Sequence, residues 1–161
     1  MNQTRRASWL SLLGWLAIAF AAGGIGAIAS VDAAAFYARL VRPGWAPPAS
    51  VFGPVWTILY TLMGIAAWLV WRSNRPAAVA LLLFIAQLLV NALWSWLFFA
   101  WHQGAWAMVD VSILLALILA TTVSFWPVHR LAAALLMPYL GWVAFATALT
   151  WAVWRRNPNV L

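Results

Sequence analysis

The chain has 161 residues, of which 67% are hydrophobic and 7% charged, whereas an average soluble domain is about 45–50% apolar and about 25% charged. So few charges cannot cover the surface of a water-soluble fold of this length, and the surrounding solvent must be lipid. The net charge of +7 comes from nine arginines against Asp32 and Asp110; as Arg5, Arg6, Arg39, Arg42, Arg72, Arg75, Arg130, Arg155 and Arg156 they stand at the ends of apolar runs, as interfacial anchors facing lipid heads do, and form no nucleic-acid face.

The first apolar run, residues 9–29, follows Arg5-Arg6 and ends in Ala27-Ile28-Ala29, a pattern with two readings. One is a cleavable signal, with Thr4-Arg5-Arg6 hinting at a twin-arginine type; the other is a retained helix. The run is longer than a signal core of about 7–15 residues. It also carries small residues spaced by four, Ala19, Gly23, Ala27 and Ala22, Gly26, Ser30, which favours a retained helix with a close-packing face. That face serves a homodimer or the inside of one bundle equally well.

After it comes the one long connection, from Ser30 to Ser50, containing Pro43, Gly44, Trp45, Pro47 and Pro48. A loop of that length in a small protein usually has a function. Four more apolar runs follow, 51–71, 77–101, 105–126 and 131–154, joined by Ser73-Asn74-Arg75-Pro76, His102-Gln103-Gly104 and Pro127-Val128-His129-Arg130. Each run is about 21–25 residues long, enough to cross roughly 30 Å of hydrocarbon at a rise of about 1.5 Å per residue. Only helices satisfy their own backbone there without closing a barrel. The predicted fold is therefore an all-α integral membrane bundle of five transmembrane helices, one domain over residues 1–161. Short links predict that consecutive helices are antiparallel neighbours. Arg5, Arg6, Arg72, Arg75 and Arg130 fall on one side and Arg39, Arg42, Arg155 and Arg156 on the other, a balance that does not orient the protein.

Cysteine is absent, which excludes disulfides, thiolate metal sites and a cysteine nucleophile. Two histidines and two aspartates far apart tell against any metal site. His102 and His129 lie in links, where solvated side chains are more common than haem ligands. No Ser-His-Asp spacing, carboxylate pair or phosphate-cradling loop is present, and Gly23-Gly24-Ile25-Gly26 reads as close helix packing. Asp110, the one acid inside a run, is a functional candidate by default, with pairing to an arginine or reach to the interface as the plain alternative.

Tryptophan is the anomaly, with fourteen copies. Trp9, Trp71, Trp101, Trp106, Trp126 and Trp154 mark span ends, where indoles prefer the headgroup region. Trp56, Trp94, Trp96, Trp142 and Trp151 lie within runs and Trp45 between prolines. A buried indole offers a flat face and one donor, suited to a planar hydrophobic ligand, although packing and lipid contact explain any single one. Gln87, Asn91, Trp94 and Ser95 share one stripe of the third run, facing inward either as interhelical glue or as a grip on a ligand's polar edge.

Four ordered segments carry a family resemblance: Arg42-Pro43-Gly44-Trp45-Ala46-Pro47-Pro48, VFGPVWTILY from Val51 to Tyr60, QLLVNALWSWLFF from Gln87 to Phe99, and PYLGWVAFATALTWAVWRRNP from Pro138 to Pro158. Together they span nearly the whole chain and resemble the TspO/MBR family, the tryptophan-rich sensory proteins of bacteria and translocator proteins of mitochondria. The resemblance implies a five-helix bundle, often a homodimer, in the bacterial cell envelope. It also implies a pocket under the first loop for porphyrin or haem, sterols and synthetic ligands, with no required cofactor and no metal. Carried over residue by residue, the implied binding residues are Trp45, Pro47 and Pro48 of the loop, Trp56, Asn91 and Trp94, and Trp142 and Ala146. The resemblance further implies, for some members, porphyrin breakdown in light through the equivalents of Trp56 and Trp142. Leu149-Thr150-Trp151 before Arg155 lacks the tyrosine of the sterol motif, which tells against sterol recognition.

Overall fold

The computed structural model of the chain describes residues 2–161, with side chains from Trp9 onward. The side chains of Arg5 and Arg6 therefore lie outside the described residues. Six helices follow in order: α1 (Asn2–Ala29), α2 (Ala33–Arg39), α3 (Phe52–Trp71), α4 (Ala78–Ser95), α5 (Gly104–Phe125) and α6 (Arg130–Arg156). Five are long and apolar enough to cross a membrane, and among the described residues there is no strand. The all-α five-span membrane bundle expected from the sequence is the observed architecture.

The spans close into a ring, α1 against α3, α3 against α6, α6 against α5, α5 against α4, and α4 back against α1. Consecutive helices are thus not always principal neighbours: α3 and α4 are joined by a short link yet touch sparingly, because α1 packs between them. The small residues of α1 and α3 permit this. A Cβ on Gly64 would stand 3.0 Å from the Leu16 backbone, and one on Gly23 would strike the Tyr60 ring at 2.6 Å. Ala19, Ala22 and Gly26 are buried on the same side, so this face of α1 is used within the chain.

Proline and the helix ends fit their backbone chemistry. Pro54 lies in the first turn of α3, where its missing N–H is not needed. Pro138 lies inside α6 and deprives the Ala134 carbonyl of its helical donor, which a membrane helix tolerates among polar neighbours. His129 caps α6, its Nδ1 accepting from the Ala132 N–H at 3.3 Å. The third span ends in a π turn, Trp96–Ala100, in which the Trp101 N–H donates to the Trp96 carbonyl at 2.8 Å; such turns often mark functional regions.

The long connection is ordered. Its helix α2 buries Phe36 and Tyr37 and is followed by buried Leu40. The ring of Phe36 stacks on His102 at 4.2 Å and meets Phe98 and Phe99 edge-on. The Tyr37 hydroxyl donates to the Pro47 carbonyl at 3.1 Å, and Arg42 lies over the Tyr37 ring. Burial pushes the Tyr37 phenol above its ordinary pKa, against the opposing pull of the Arg42 guanidinium. Asn157, just past α6, fastens the far end: its Oδ1 accepts from the Val41 N–H at 2.9 Å, and its Nδ2 donates to the carbonyls of Val41 at 3.0 Å and Val153 at 2.7 Å.

Candidate functional site

Beneath α2 the ring is hollow. The cavity there is about 580 Å³, within the range of roughly 300–1,000 Å³ typical of small-molecule sites. Trp56, Asn91, Trp94, Trp142 and Ala146 line it, while Trp45, Pro47 and Pro48 do not. Trp45 is 52% exposed with its ring edge-on to Phe145 at 5.7 Å, and Pro47 takes part through its carbonyl, as the acceptor for Tyr37.

Each indole is held from behind. Trp56 stacks on Tyr60 at 5.4 Å and meets Tyr139 edge-on at 6.2 Å. Trp94 stacks on Phe98 at 5.3 Å. Trp142 is braced by Phe52 at 5.9 Å and Phe145 at 5.5 Å. The opposite wall is built mostly from small residues, since α1 contributes Gly23, Gly24, Gly26 and Ala27, with Phe20 as its one large side chain. Gly24, Ala27, Gly53 and Thr57 line the cavity and are themselves exposed. The hollow is therefore open along these residues of α1 and α3.

A polar chain forms the floor. The Tyr60 hydroxyl donates to Asn91 Oδ1 at 2.7 Å, Asn91 Nδ2 donates to the Tyr139 hydroxyl at 3.0 Å, and the Tyr139 hydroxyl donates to Gln87 Oε1 at 2.7 Å. Asn91 thus joins α3, α4 and α6 while lining the cavity, so the two readings of its stripe coexist. Buried beside this chain, Gln87 Nε2, Trp94 Nε1 and Asp110 Oδ2 have no hydrogen-bond partner among the described residues. Asp110 is 6% exposed on the inner face of α5. The geometry therefore removes the plain alternative of interfacial reach, and among the described residues Asp110 makes no arginine pair.

Among the described residues the three tyrosines of the chain all converge here, Tyr37 above, Tyr60 in the wall and Tyr139 below. Sequence reasoning did not assign them. The signal was present, because a phenol inside an apolar run must find a partner.

A family model described as the TspO/MBR family matches residues 15–155. The chain belongs to the TspO/MBR family. Among its relatives, the human Translocator protein is 44% identical over 126 residues, 76% of this chain and 75% of the relative. The Archaeoglobus fulgidus Tryptophan-rich protein TspO is 39% identical over 152 residues, 91% of this chain and 94% of the relative. Protein CrtK of Rhodobacter capsulatus is 39% identical over 141 residues, 86% of this chain and 87% of the relative. This TspO/MBR chain is accordingly an integral membrane protein of TspO type, and its cavity lies inside the matched region.

Proposed function

We propose that the protein is a membrane tetrapyrrole-binding sensor or translocator, in which indoles hold a flat porphyrin or haem in the cavity beneath the first connection. The observation that carries this reading is the meeting of Trp56, Trp94 and Trp142 around one hollow of about 580 Å³. Indole faces suit a planar π system, and rings already braced by neighbours lose little freedom when a ligand arrives. The opening along α1 and α3 supports delivery from the bilayer, where such a ligand dissolves. Titrating protoporphyrin IX into the purified protein while following tryptophan fluorescence tests it. Saturable quenching that disappears in Trp56→Ala combined with Trp142→Ala is expected; equal quenching in that double variant rejects the assignment. Flux into proteoliposomes separates a translocator from a sensor.

A second reading, light- and oxygen-dependent porphyrin breakdown, is favoured by one contact set. Trp56 touches both Tyr60 and Tyr139, so an oxidised indole has phenols beside it to share the hole. Illumination in oxygen should then bleach the porphyrin band in the wild type and yield a new tetrapyrrole product. Bleaching at the same rate in Trp56→Ala and Trp142→Ala reduces this to photochemistry of the ligand alone.

A further inference from the structure

A second hollow lies at the opposite end of the ring, away from the cavity. Arg75 of the α3–α4 link, Trp126, Pro127 and Val128 after α5, and Arg130 at the start of α6 line a cleft of about 350 Å³. Arg75 donates to the Pro127 carbonyl, which ties the two links together and sets one wall. Both arginines and Trp126 are exposed, and an exposed indole at a span end marks headgroup depth.

No carboxylate of the chain serves these guanidiniums. Asp32 precedes α2 in the long connection at the other end, and Asp110 lies about 22 Å along α5 from the Phe125 end. That separation is far beyond the roughly 4 Å reach of an ion pair. Arg130 is also the first residue of α6, whose first turn holds no acid, so its charge adds to the positive end of the helix dipole. Two like charges around an open cleft with no internal counterion call for an external anion. At headgroup depth the abundant one is a lipid phosphate.

We propose that this cleft binds the phosphodiester headgroup of an anionic lipid. Arg130 meets the phosphate with its guanidinium, Arg75 adds charge from the facing link, and Trp126 and Val128 lie against the glycerol and upper acyl chain. Guanidinium forks match phosphate oxygens better than ammonium does. The site is separate from the cavity and does not depend on what that cavity holds.

Native mass spectrometry of the full chain, titrated with phosphatidylglycerol or phosphatidylcholine, tests this. The wild type should retain phosphatidylglycerol preferentially. Arg130→Gln should weaken that binding about fivefold and leave phosphatidylcholine unchanged. Arg155→Gln, an equal loss of charge at the other face, should have no such effect. Because Arg75 also holds Pro127, Arg75→Lys is the variant there, keeping charge while losing the fork, with a smaller loss expected. The proposal is overturned if phosphatidylcholine binds equally, if Arg130→Gln matches the wild type, or if Arg155→Gln weakens binding as much. Displacement of the lipid by inorganic phosphate at the same concentration would make this a free-anion site and overturn the lipid assignment.

Discussion

The half of the ring near the short α3–α4 and α5–α6 links and the half under the long connection use the same residue types, yet one is solid and the other hollow. In the solid half Phe84 stacks on Phe125 at 6.2 Å, Trp15 closes edge-on at 6.0 Å, and fully buried Met63, Val70, Ile118 and Leu136 fill the gaps. There, the rings share one buried cluster with small residues such as Ala66, Ala67, Ala132 and Ala133. In the hollow half the rings are braced outward, Trp94 on Phe98 and Trp142 on Phe52 and Phe145, while α1 opposes them mostly with small residues, Gly23, Gly24, Gly26 and Ala27. The hollow arises because large side chains are held at the rim by contacts of their own. The Tyr60–Asn91–Tyr139–Gln87 chain is the boundary between the halves.

The contrast is broken most severely by cutting into the solid half. Phe84→Ala should cost about 3–5 kcal/mol of stability, as for a fully enclosed ring whose cavity cannot collapse. Trp142→Ala should cost less, about 1–2 kcal/mol, since its ring lines the cavity and is only partly buried. Thermal unfolding in detergent, read beside porphyrin quenching, separates them: Phe84→Ala loses stability and keeps binding, and Trp142→Ala does the reverse. Equal destabilisation would mean that the two halves are packed alike. Next in size is Gly23→Ala, whose new methyl must displace the Tyr60 ring. It should cost about 1–3 kcal/mol as overpacking and also weaken quenching, because Tyr60 backs Trp56. Full binding in a well-folded Gly23→Ala protein would show that the wall does not depend on Tyr60.

Spans, membrane and family were legible in the residues because apolar length and ordered motifs are local properties. The hollow was legible only in part. Trp56, Asn91, Trp94, Trp142 and Ala146 were named from the family motifs and line it, but Trp45, Pro47 and Pro48 sit in the cover and not in the lining. The cover's fastening joins Val41 to Asn157, 116 positions away, and its helix packs through Phe36 on Phe98 and His102 of a different span and link, which no local pattern records. Likewise the sparing contact of α3 with α4 follows from glycines on α1, and link length alone predicts the opposite.

The boundary layer itself can be weakened without changing shape. Tyr139→Phe keeps the ring that meets Trp56 and removes the hydroxyl that joins Asn91 to Gln87. Interhelical polar contacts in membranes are modest, so a loss of about 0.6–2 kcal/mol is expected. Thermal unfolding measures that loss, and porphyrin titration shows what Asn91 does once released. Tighter binding in Tyr139→Phe would mean that the freed amide turns to the ligand; unchanged binding would assign Asn91 to helix pairing alone.

The smallest effect on overall stability is expected at the cover. Asn157 is 6% exposed and acts as a substitute strand partner, taking the N–H and the carbonyl of Val41 together while reaching back to Val153. Asn157→Ala leaves every span intact, so the unfolding temperature should scarcely move. The Val41 end of the cover, however, loses about 1–2 kcal/mol of local hydrogen bonding, and local opening of a segment is governed by its own contacts and not by the global free energy. Amide exchange over residues 40–48 should therefore quicken about tenfold, and a ligand in the cavity should dissociate faster. Asn157→Asp should be worse than alanine, because it turns a carboxylate oxygen toward the carbonyls that Nδ2 now satisfies. Faster exchange with an unchanged ligand off-rate would show that the opening along α1 and α3, and not the cover, controls passage.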